Sequence, residues 1–424
     1  MKLGIIGSYG GSSIGDEAIL KGLIETLEAS ALEINKVVIF STNSLITKTA
    51  IGKLDYRFEI AFKDLTISRA GNLENSTRSK LTVKRNIIKF LKQYQSFFPL
   101  EKLYRKITKK PYIMNDVISG ENLDALLFGG GNLLMDLYPK WPYIVEEILE
   151  QADKNRTKVY FIGMGAGPIR TPFGKRLFKK VVNKYYVSTR DQESAEYLRK
   201  QLKVEKSIKV GTDLAFGLGT HSDSNIRKNG LGITVVPYYA DFYWPKSDLE
   251  KYQNYCLNMA RILDAVLEEL PEKVEFFATN YPFDLKVALE IKNLMKHGRK
   301  ILVNQEKMDV DTLLEYLGKK KFILGTRLHS LILSSCRGTD FFGVSYQPKV
   351  RYFLNRLGKG HDCFNITELE QELPAVEIER LSSRIKESCQ NRDDGKITTY
   401  STDQKNGLIK ELEQALAIRV AHAR

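Results

Sequence analysis

Short apolar runs alternate with longer amphipathic stretches along most of the chain. The apolar runs, which are bounded by glycine or polar residues, predict buried strands. Stretches whose apolar residues recur three or four positions apart predict helices. Because the two kinds of element alternate, parallel sheets with right-handed crossovers are favoured. The predicted strands are 3–7, 37–40, 124–128, 159–163 and 186–189 in the first half, and 232–237, 274–279, 301–303, 321–325 and 340–346 in the second.

Predicted helices occupy most of the intervals between these strands. Each half of the chain therefore has the pattern of a doubly wound sheet, in which ligands bind at the carboxyl ends of the strands. We predict an α/β protein with two Rossmann-like domains in tandem, residues 1–204 and 205–395, a central cleft between them, and a helical tail at 396–424. The predicted helices are 16–28, 143–153, 173–184, 191–200, 248–269, 310–318 and 403–424, with two more that begin at 284 and 327.

Residues 45–120 interrupt this alternation, and we predict an insertion there in the first domain. Between Arg78 and Lys110 lie eleven Lys or Arg residues and a single acid, Glu101, with aromatic residues interleaved. Two interpretations stay open for segment 78–112. It is either a surface for peripheral contact with an anionic membrane or a solvated basic face that covers the cleft.

The composition narrows the classes of protein. The chain has 424 residues and a formal net charge of +14, which favours an anionic partner such as nucleic acid, a membrane face or a highly charged small substrate. No nucleic-acid recognition motif accompanies the charge. The first apolar run is too short for a signal peptide, and no run approaches the ~18 apolar residues of a membrane span, so a cytoplasmic location is expected.

The cysteines are widely spaced, at Cys256, Cys336, Cys363 and Cys389. Isolated cysteines in a chain without a secretion signal are usually reduced and buried. We therefore expect no disulfide and no cysteine metal site.

Three glycine-rich segments follow predicted strands. Glycines between a strand and a helix let backbone N–H groups approach an anion, but they also suit tight turns with positive φ, and both interpretations stay open. An NAD-binding fold would place an acid after the second strand, and residues 40–43 contain none, which argues against NAD. The candidate residues of these segments are Asp16, Glu17, Gly129, Gly130, Gly131, Asn132 and Gly165.

Two cationic segments stand at the starts of predicted helices in the second half. Thr326 is predicted as an N-cap, which puts Arg327 and His329 in the first helical turn. A guanidinium and an imidazole beside free N–H groups form a strong anion site. Pro348 suits the first turn of the next helix, and Lys349 then lies beside a similar terminus. The alternatives are a structural histidine and a surface lysine.

A third cationic segment, Thr189-Arg190-Asp191, follows a predicted strand of the first half. Arg190 at a strand end is suited to gripping a carboxylate or a phosphate with two N–H groups. The alternative is an ion pair of purely structural role, with Asp191 as the helix N-cap.

In their order along the chain these segments resemble the polysaccharide pyruvyl transferase family. The similar stretches are GSYGGSSIGDEAIL, LLFGGGNLLMD, GMGAGPI, TRDQESAEYL, GTDLAF, TRLHSLIL and SYQPKV, and they extend from residue 1 to about 357, with a gap at the insertion. The resemblance implies a fold similar to GT-B glycosyltransferases and phosphoenolpyruvate as the donor substrate. We expect no cofactor and no metal. Two positions depart from the family pattern, Met164 where Gln is common and Gln347 where Asp is common.

The resemblance also implies roles for particular residues. Arg190, Arg327, Leu328 and His329 match the donor-binding positions of the family, and Lys349 is expected to contact the donor phosphate. His329 is the expected general acid or base. The glycine-rich segments, with Asp16 and Glu17, are candidates for lining the cleft on the acceptor side.

The implied reaction is transfer of a pyruvyl group to a saccharide, as a ketal, in the biosynthesis of cell-surface polysaccharide. The saccharide is free, nucleotide-linked or lipid-linked, and a lipid-linked acceptor would lie at the cytoplasmic face of the membrane. Two alternatives stay open: a GT-B-type glycosyltransferase that uses a nucleotide sugar, and a non-catalytic nucleic-acid-binding protein.

Overall fold

The computed structural model of the chain describes residues 1–66, 112–113, 118, 120–219, 228–244, 246–270, 273–391 and 395–417. Almost all of segment 78–112 lies outside these residues, so the structure tests neither interpretation of the basic insertion. Within the described residues, no helix combines the length and the apolar character needed to cross a bilayer.

The first domain is built on a seven-stranded sheet in the order β3-β2-β1-β4-β5-β6-β7. Every neighbouring pair in it is parallel, as the alternation of elements predicts. Its elements are β1 (Lys2–Ile6), α1 (Ile14–Ala29), β2 (Lys36–Ser41), α2 (Ser44–Ala50), β3 (Glu59–Asp64), β4 (Ala125–Gly129), α3 (Trp141–Lys154), β5 (Lys158–Met164), α4 (Pro172–Lys184), β6 (Tyr186–Thr189), α5 (Gln192–Leu202) and β7 (Lys209–Val210).

The second domain contains a six-stranded sheet in the order β10-β9-β8-β11-β12-β13, again with parallel neighbours. A 3-10 turn at Leu214–Leu218 leads into it from the first domain. Its elements are β8 (Leu231–Ile233), α6 (Leu249–Glu269), β9 (Val274–Phe276), α7 (Phe283–Leu294), β10 (Leu302–Val303), α8 (Val310–Lys319), β11 (Phe322–Gly325), α9 (Leu328–Ser335), β12 (Asp340–Ser345), α10 (Pro348–Arg356), β13 (Cys363–Asn365), α11 (Ala375–Gln390) and α12 (Lys396–Ala417).

The structure differs from the sequence-based prediction at the margins of the first sheet. β3 lies inside the region 45–120, where little strand signal was expected. It is an edge strand whose side chains are mostly half-buried or exposed, so it lacks the apolar run that marks a buried strand. β7 pairs with β6, so the first sheet continues past residue 204.

The two domains share an apolar core and several polar contacts. Leu23, Leu214, Leu331 and Leu412 belong to one cluster of buried side chains that extends through both domains, and each such leucine contributes about 1.5–3 kcal/mol when it is fully buried. At the seam, the N–H of Ile14 donates to the carbonyl of Thr279 (3.0 Å), and Lys21 in α1 forms an ion pair with Asp311 in α8.

The C-terminal helix α12 returns to the first domain. The hydroxyl of Tyr186 in β6 donates to Glu411 of α12 over 3.1 Å, and the N–H of Ala31 donates to Glu413 over 2.8 Å. Since α12 also packs against α1 and the 3-10 turn, it joins the C-terminal part of the chain to the first domain.

Candidate active site at the domain seam

His329 lies in the first turn of α9, directly after β11. The N-cap of this helix is Arg327 and not Thr326, so the predicted cap was wrong. The hydroxyl of Thr326 instead donates to the carbonyl of Thr234 (3.2 Å), directly after the neighbouring strand β8. Thr326 is fully buried with its hydroxyl directed at the sheet, one residue before the position at which the helix begins.

The imidazole of His329 crosses the seam and packs against the start of α1. A Cβ atom built on Gly15 would lie 2.7 Å from Cγ of His329 and closer still to Nδ1. On its other side, Nε2 is 3.7 Å from Oδ2 of Asp213 in the first domain. Nε2 is buried and has no hydrogen-bond partner among the described residues, so the ring is enclosed by both domains.

Asp213 had no assigned role in the sequence analysis, although it lies in the stretch GTDLAF. It is 5% exposed and begins the 3-10 turn, where Oδ1 accepts from the N–H of Ala215 (3.1 Å). Burial opposes its ionisation, but the contacts with His329 and Arg190 outweigh burial and hold the pKa of this carboxyl well below its usual range. The signal for its importance was its place after a strand end, which the very short β7 made hard to detect.

Arg190 occupies the position predicted for it, at the carboxyl end of β6. Its Nη1 is 3.2 Å from Oδ2 of Asp213, and its Nε is 3.3 Å from Oδ2 of Asp191. Asp191 is the N-cap of α5 and accepts from the N–H of Ser194 (2.7 Å). The ion pair between Arg190 and Asp191 and the N-cap at Asp191 therefore both form, as the structural interpretation predicts. Both lie at the seam between the domains, where Arg190 and His329 face the same oxygen of Asp213.

Arg327 pairs with a buried carboxylate of its own domain. Its Nε and Nη2 lie 2.9 and 2.6 Å from the two oxygens of Asp284, which is fully buried. Burial works against the charge of the guanidinium, but Asp284 outweighs burial and raises the pKa of Arg327 above its already high usual value. Asp284 also accepts from the backbone N–H groups of Thr279 and Asn280, so Arg327 is held rigidly beside the seam.

Asp16 of the first domain and Lys349 of the second lie near His329 and Arg190. Asp16 is half-buried at the start of α1. Burial raises the pKa of its carboxyl, and the nearby His329, Lys349 and Arg190 act against that rise. Lys349 lies in the first turn of α10, whose N-cap is Gln347, and its Nζ is 5.8 Å from the ring centre of Tyr346.

The side chains of Leu328 and Met164 are both buried. The side chain of Leu328 is part of the apolar core, so a donor would meet only its backbone. Met164 is fully buried in the core of the first domain and does not line the cleft. The departure from the family pattern at this position is therefore a change in packing, whereas Gln347 is exposed at the start of α10.

Glu17 is buried beside a recess between the two domains. Its Oε1 accepts from the N–H of Gly10 (2.7 Å), while Oε2 has no partner among the described residues. Burial raises the pKa of this carboxyl to about 7. The recess is shallow and open to solvent, and it is lined by residues of both domains, among them Ser12, Ser13, Thr279, Tyr281 and Lys307.

Backbone conformation and close packing account for most of the glycine-rich segments. Gly130 and Gly131 have φ of +67° and +73°, which only glycine adopts readily. The carbonyl of Gly129 accepts from the hydroxyl of Tyr9 (2.7 Å), and Nδ2 of Asn132 donates to the carbonyl of Gly167 (2.7 Å). Contact of these residues with a ligand stays a prediction.

Gly165 has a further reason to be glycine. A Cβ at this position would lie 3.1 Å from Nη2 of Arg190 and 3.0 Å from Oδ1 of Asn132. The absence of a side chain therefore lets the guanidinium rest against the backbone of the segment after β5. Among the described residues, no group of three or more His, Cys, Asp or Glu side chains is arranged to hold a metal ion.

The sequence model of the polysaccharide pyruvyl transferase family matches residues 14–348, which is most of the chain. The match includes Asp16, Arg190, Asp213, Arg327 and His329, and it ends one residue before Lys349. The chain belongs to this family. It is accordingly an enzyme, a transferase, as the motifs suggested. A relative, the amylovoran biosynthesis protein AmsJ of Erwinia amylovora, is 23% identical over 381 residues, which cover 84% of this chain and 86% of that protein.

Solved structures with the same architecture confirm the predicted GT-B-like fold. The UDP-GlcNAc 2-epimerase of Methanocaldococcus jannaschii superposes with a TM-score of 0.52 at 12% identity, covering 98% of this chain and 100% of the other. Anabaena Alr3699/HepE, solved in complex with UDP, has a TM-score of 0.53 at 11% identity, with 98% and 100% covered. At such low identity the likeness concerns the fold alone.

Proposed function

We propose that this pyruvyl transferase moves the pyruvyl group of phosphoenolpyruvate onto two hydroxyls of a saccharide, forming a ketal, in the biosynthesis of exopolysaccharide. The observation that carries the proposal is the meeting of Arg190, His329 and Lys349, from both domains, around one seam beside Asp16. Family membership and the amylovoran relative support the saccharide as acceptor.

The cationic groups suit a donor that carries a carboxylate and a phosphate. A guanidinium has five N–H groups. Arg190 uses Nε and Nη1 on aspartates, and Arg327 uses Nε and Nη2 on Asp284, so each retains N–H groups for a ligand. The first turns of α9 and α10 add backbone N–H groups, which favour anions, and Lys349 stands in the second of these turns.

The reaction requires proton transfer at two places. A proton adds to the methylene carbon of phosphoenolpyruvate, a saccharide hydroxyl adds to the adjacent carbon, and the C–O bond to phosphate breaks. A second hydroxyl then closes the ring. Of the two hydroxyl protons, one balances the proton gained by the new methyl group and the other leaves with phosphate. His329 is the proposed acid and base, and Asp16 and Glu17 are proposed to face the acceptor.

The proposal also covers the group to which the acceptor saccharide is attached and the location of the enzyme. A lipid-linked saccharide at the cytoplasmic face of the membrane would suit the positive charge of segment 78–112. This stays a prediction from charge, since almost all of that segment lies outside the described residues. The donor is proposed to act without a cofactor or a metal.

Calorimetric titration with phosphoenolpyruvate, and separately with UDP-glucose, tests the donor without knowledge of the acceptor. Lys349→Ala is the variant of choice, because its Nζ takes part in no ion pair among the described residues. Removing Arg327 instead would leave the buried carboxylate of Asp284 unpaired, a loss of about 3–5 kcal/mol in stability. The matched control is Lys175→Ala, since Lys175 is exposed on α4.

We expect the parent enzyme and the Lys175 variant to bind phosphoenolpyruvate equally. The Lys349 variant should bind it at least about tenfold more weakly, because a charged hydrogen bond contributes about 1.5–3 kcal/mol. Binding of UDP-glucose without any binding of phosphoenolpyruvate would contradict the proposal and indicate a nucleotide-sugar glycosyltransferase. Equal binding by both lysine variants would remove Lys349 from the donor site.

A further inference from the structure

The carboxylate of Asp213 joins three elements of the molecule. Its Oδ1 accepts from the N–H of Ala215 and so fixes the side chain on the 3-10 turn. Its Oδ2 lies 3.2 Å from Nη1 of Arg190 and 3.7 Å from Nε2 of His329. One oxygen atom therefore faces a cation of the first domain and the imidazole of the second.

The charge of Asp213 determines which groups it can hold. Burial by itself would favour the neutral acid, but His329 and Arg190 hold the pKa of this carboxyl well below its usual range. The group is then a carboxylate, which accepts hydrogen bonds and donates none. Both neighbours of Oδ2 must accordingly present N–H groups to it.

This requirement selects one tautomer of His329. If Nε2 carried a lone pair, two lone pairs would face each other in a buried space, since Nε2 has no other partner among the described residues. With a proton on Nε2, the ring points an N–H at Oδ2 of Asp213. The separation of 3.7 Å is longer than a formed hydrogen bond, and contacts of this kind commonly tighten when substrate binds. The lone pair then lies on Nδ1, beside Gly15 at the start of α1.

We infer that Asp213 is a positioning residue that holds His329 as the Nε2–H tautomer and keeps Arg190 beside it across the domain seam. The inference rests on the proposed function only for its consequence in catalysis. Nδ1 of His329 is then the atom that takes a proton from the attacking hydroxyl and, in the imidazolium so formed, gives a proton to the methylene carbon. The tautomer itself is a property of the free protein and is measurable without substrate.

Nitrogen NMR of the histidine side chains tests the inference. The protein is labelled with ¹⁵N-histidine, and spectra at pH 9 distinguish the two neutral tautomers by the shifts of their protonated and unprotonated ring nitrogens. The chain has five histidines, and His329→Ala identifies the signals of interest. In Asp213→Asn, the amide oxygen can still accept from Ala215, while the amide NH₂ faces Nε2 and donates to it.

We expect the Nε2–H tautomer in the parent protein and the Nδ1–H tautomer in Asp213→Asn. Asp191→Asn is the matched control, because Asp191 is also buried, also caps a helical segment and also pairs with Arg190, yet forms no ion pair with His329 among the described residues. Asparagine is an equally good N-cap, so this control should keep the parent tautomer. A merely structural role for Asp213 would not change the tautomer.

Two results would overturn the inference: an Nδ1–H tautomer in the parent protein, or the same tautomer in the parent and in Asp213→Asn. The first result stands even if the Asp213 variant fails to fold. Titration of the same parent sample with phosphoenolpyruvate separates the two proposals. If the tautomer differed between the parent and Asp213→Asn while the parent failed to bind phosphoenolpyruvate, that result would refute the proposed donor and leave the role of Asp213 intact.

Discussion

Replacing Gly15 by alanine tests the contact between the two domains at His329. Gly15 is the second residue of α1, where alanine would ordinarily be the better helix former. Here the new methyl group would lie 2.7 Å from Cγ and 3.0 Å from Cβ of His329, and nearer still to Nδ1. Normal contacts are about 3.5–4.0 Å, so the imidazole must move or the seam must widen.

The sign of the effect follows from two opposing terms. Replacing glycine by alanine in a helix stabilises by up to about 1 kcal/mol, while overpacking a tight site costs about 1–3 kcal/mol. We therefore expect Gly15→Ala to reduce the free energy of unfolding by about 0–3 kcal/mol. A His329→Ala background removes Cγ and Nδ1 and keeps only the Cβ at 3.0 Å, so the same substitution should be between neutral and stabilising by up to about 1 kcal/mol.

Urea unfolding of the four proteins in this cycle measures the coupling between the two residues. Gly407→Ala is the matched control, because Gly407 lies within α12 and a Cβ there has no atom within 4 Å. It should stabilise both backgrounds alike. Calorimetry with phosphoenolpyruvate adds a second measurement, since a displaced His329 should weaken donor binding in Gly15→Ala but not in the control.

The reasoning would be refuted if Gly15→Ala stabilised the protein equally with and without His329. That result would mean that the imidazole does not pack on the start of α1, and that the two halves of the proposed site do not meet there. A coupling of at least about 1 kcal/mol is the expected outcome, since residues in direct contact commonly couple by about 0.5–3 kcal/mol.

Two further predictions concern buried titratable groups. Because burial raises the pKa of Glu17 from 4.5 to about 7, its stabilising contribution is complete below pH 4.5 and is lost as the pH rises to 7. At pH 8, Glu17→Gln should therefore unfold at a higher urea concentration than the parent, with a free energy of unfolding larger by up to about 3 kcal/mol. If this difference in stability did not shrink as the pH falls toward 4.5, the raised pKa of Glu17 would be contradicted. All four cysteines are buried, and burial raises the pKa of Cys256 and Cys336 to about 12. We expect Ellman's reagent to label the native protein at pH 8 only as fast as it unfolds, and rapid labelling of the folded protein would show that the thiols are accessible.

The sequence by itself determined the architecture and the location of the cationic groups. Buried parallel strands are continuous apolar runs, and the helices between them have their own period, so both doubly wound sheets followed from local pattern. Parallel strands also bring their carboxyl ends to one edge, so the sequence alone predicts that Arg190 and His329 lie near a cleft. The edge strand Glu59–Asp64 escaped detection because a half-exposed strand needs no apolar run.

Only the tertiary structure decided which charges meet. Arg190 and His329 share Asp213, and Arg327 is paired with Asp284, although these residues lie far apart in the chain. The contact between His329 and Asp213 depends on how the two sheets are oriented against each other, and the other two pairs depend on which side chains each domain buries. Local periodicity carries neither quantity. The glycine at position 15 has the same origin: it is required by an imidazole from the other domain, and not by the backbone of its own helix.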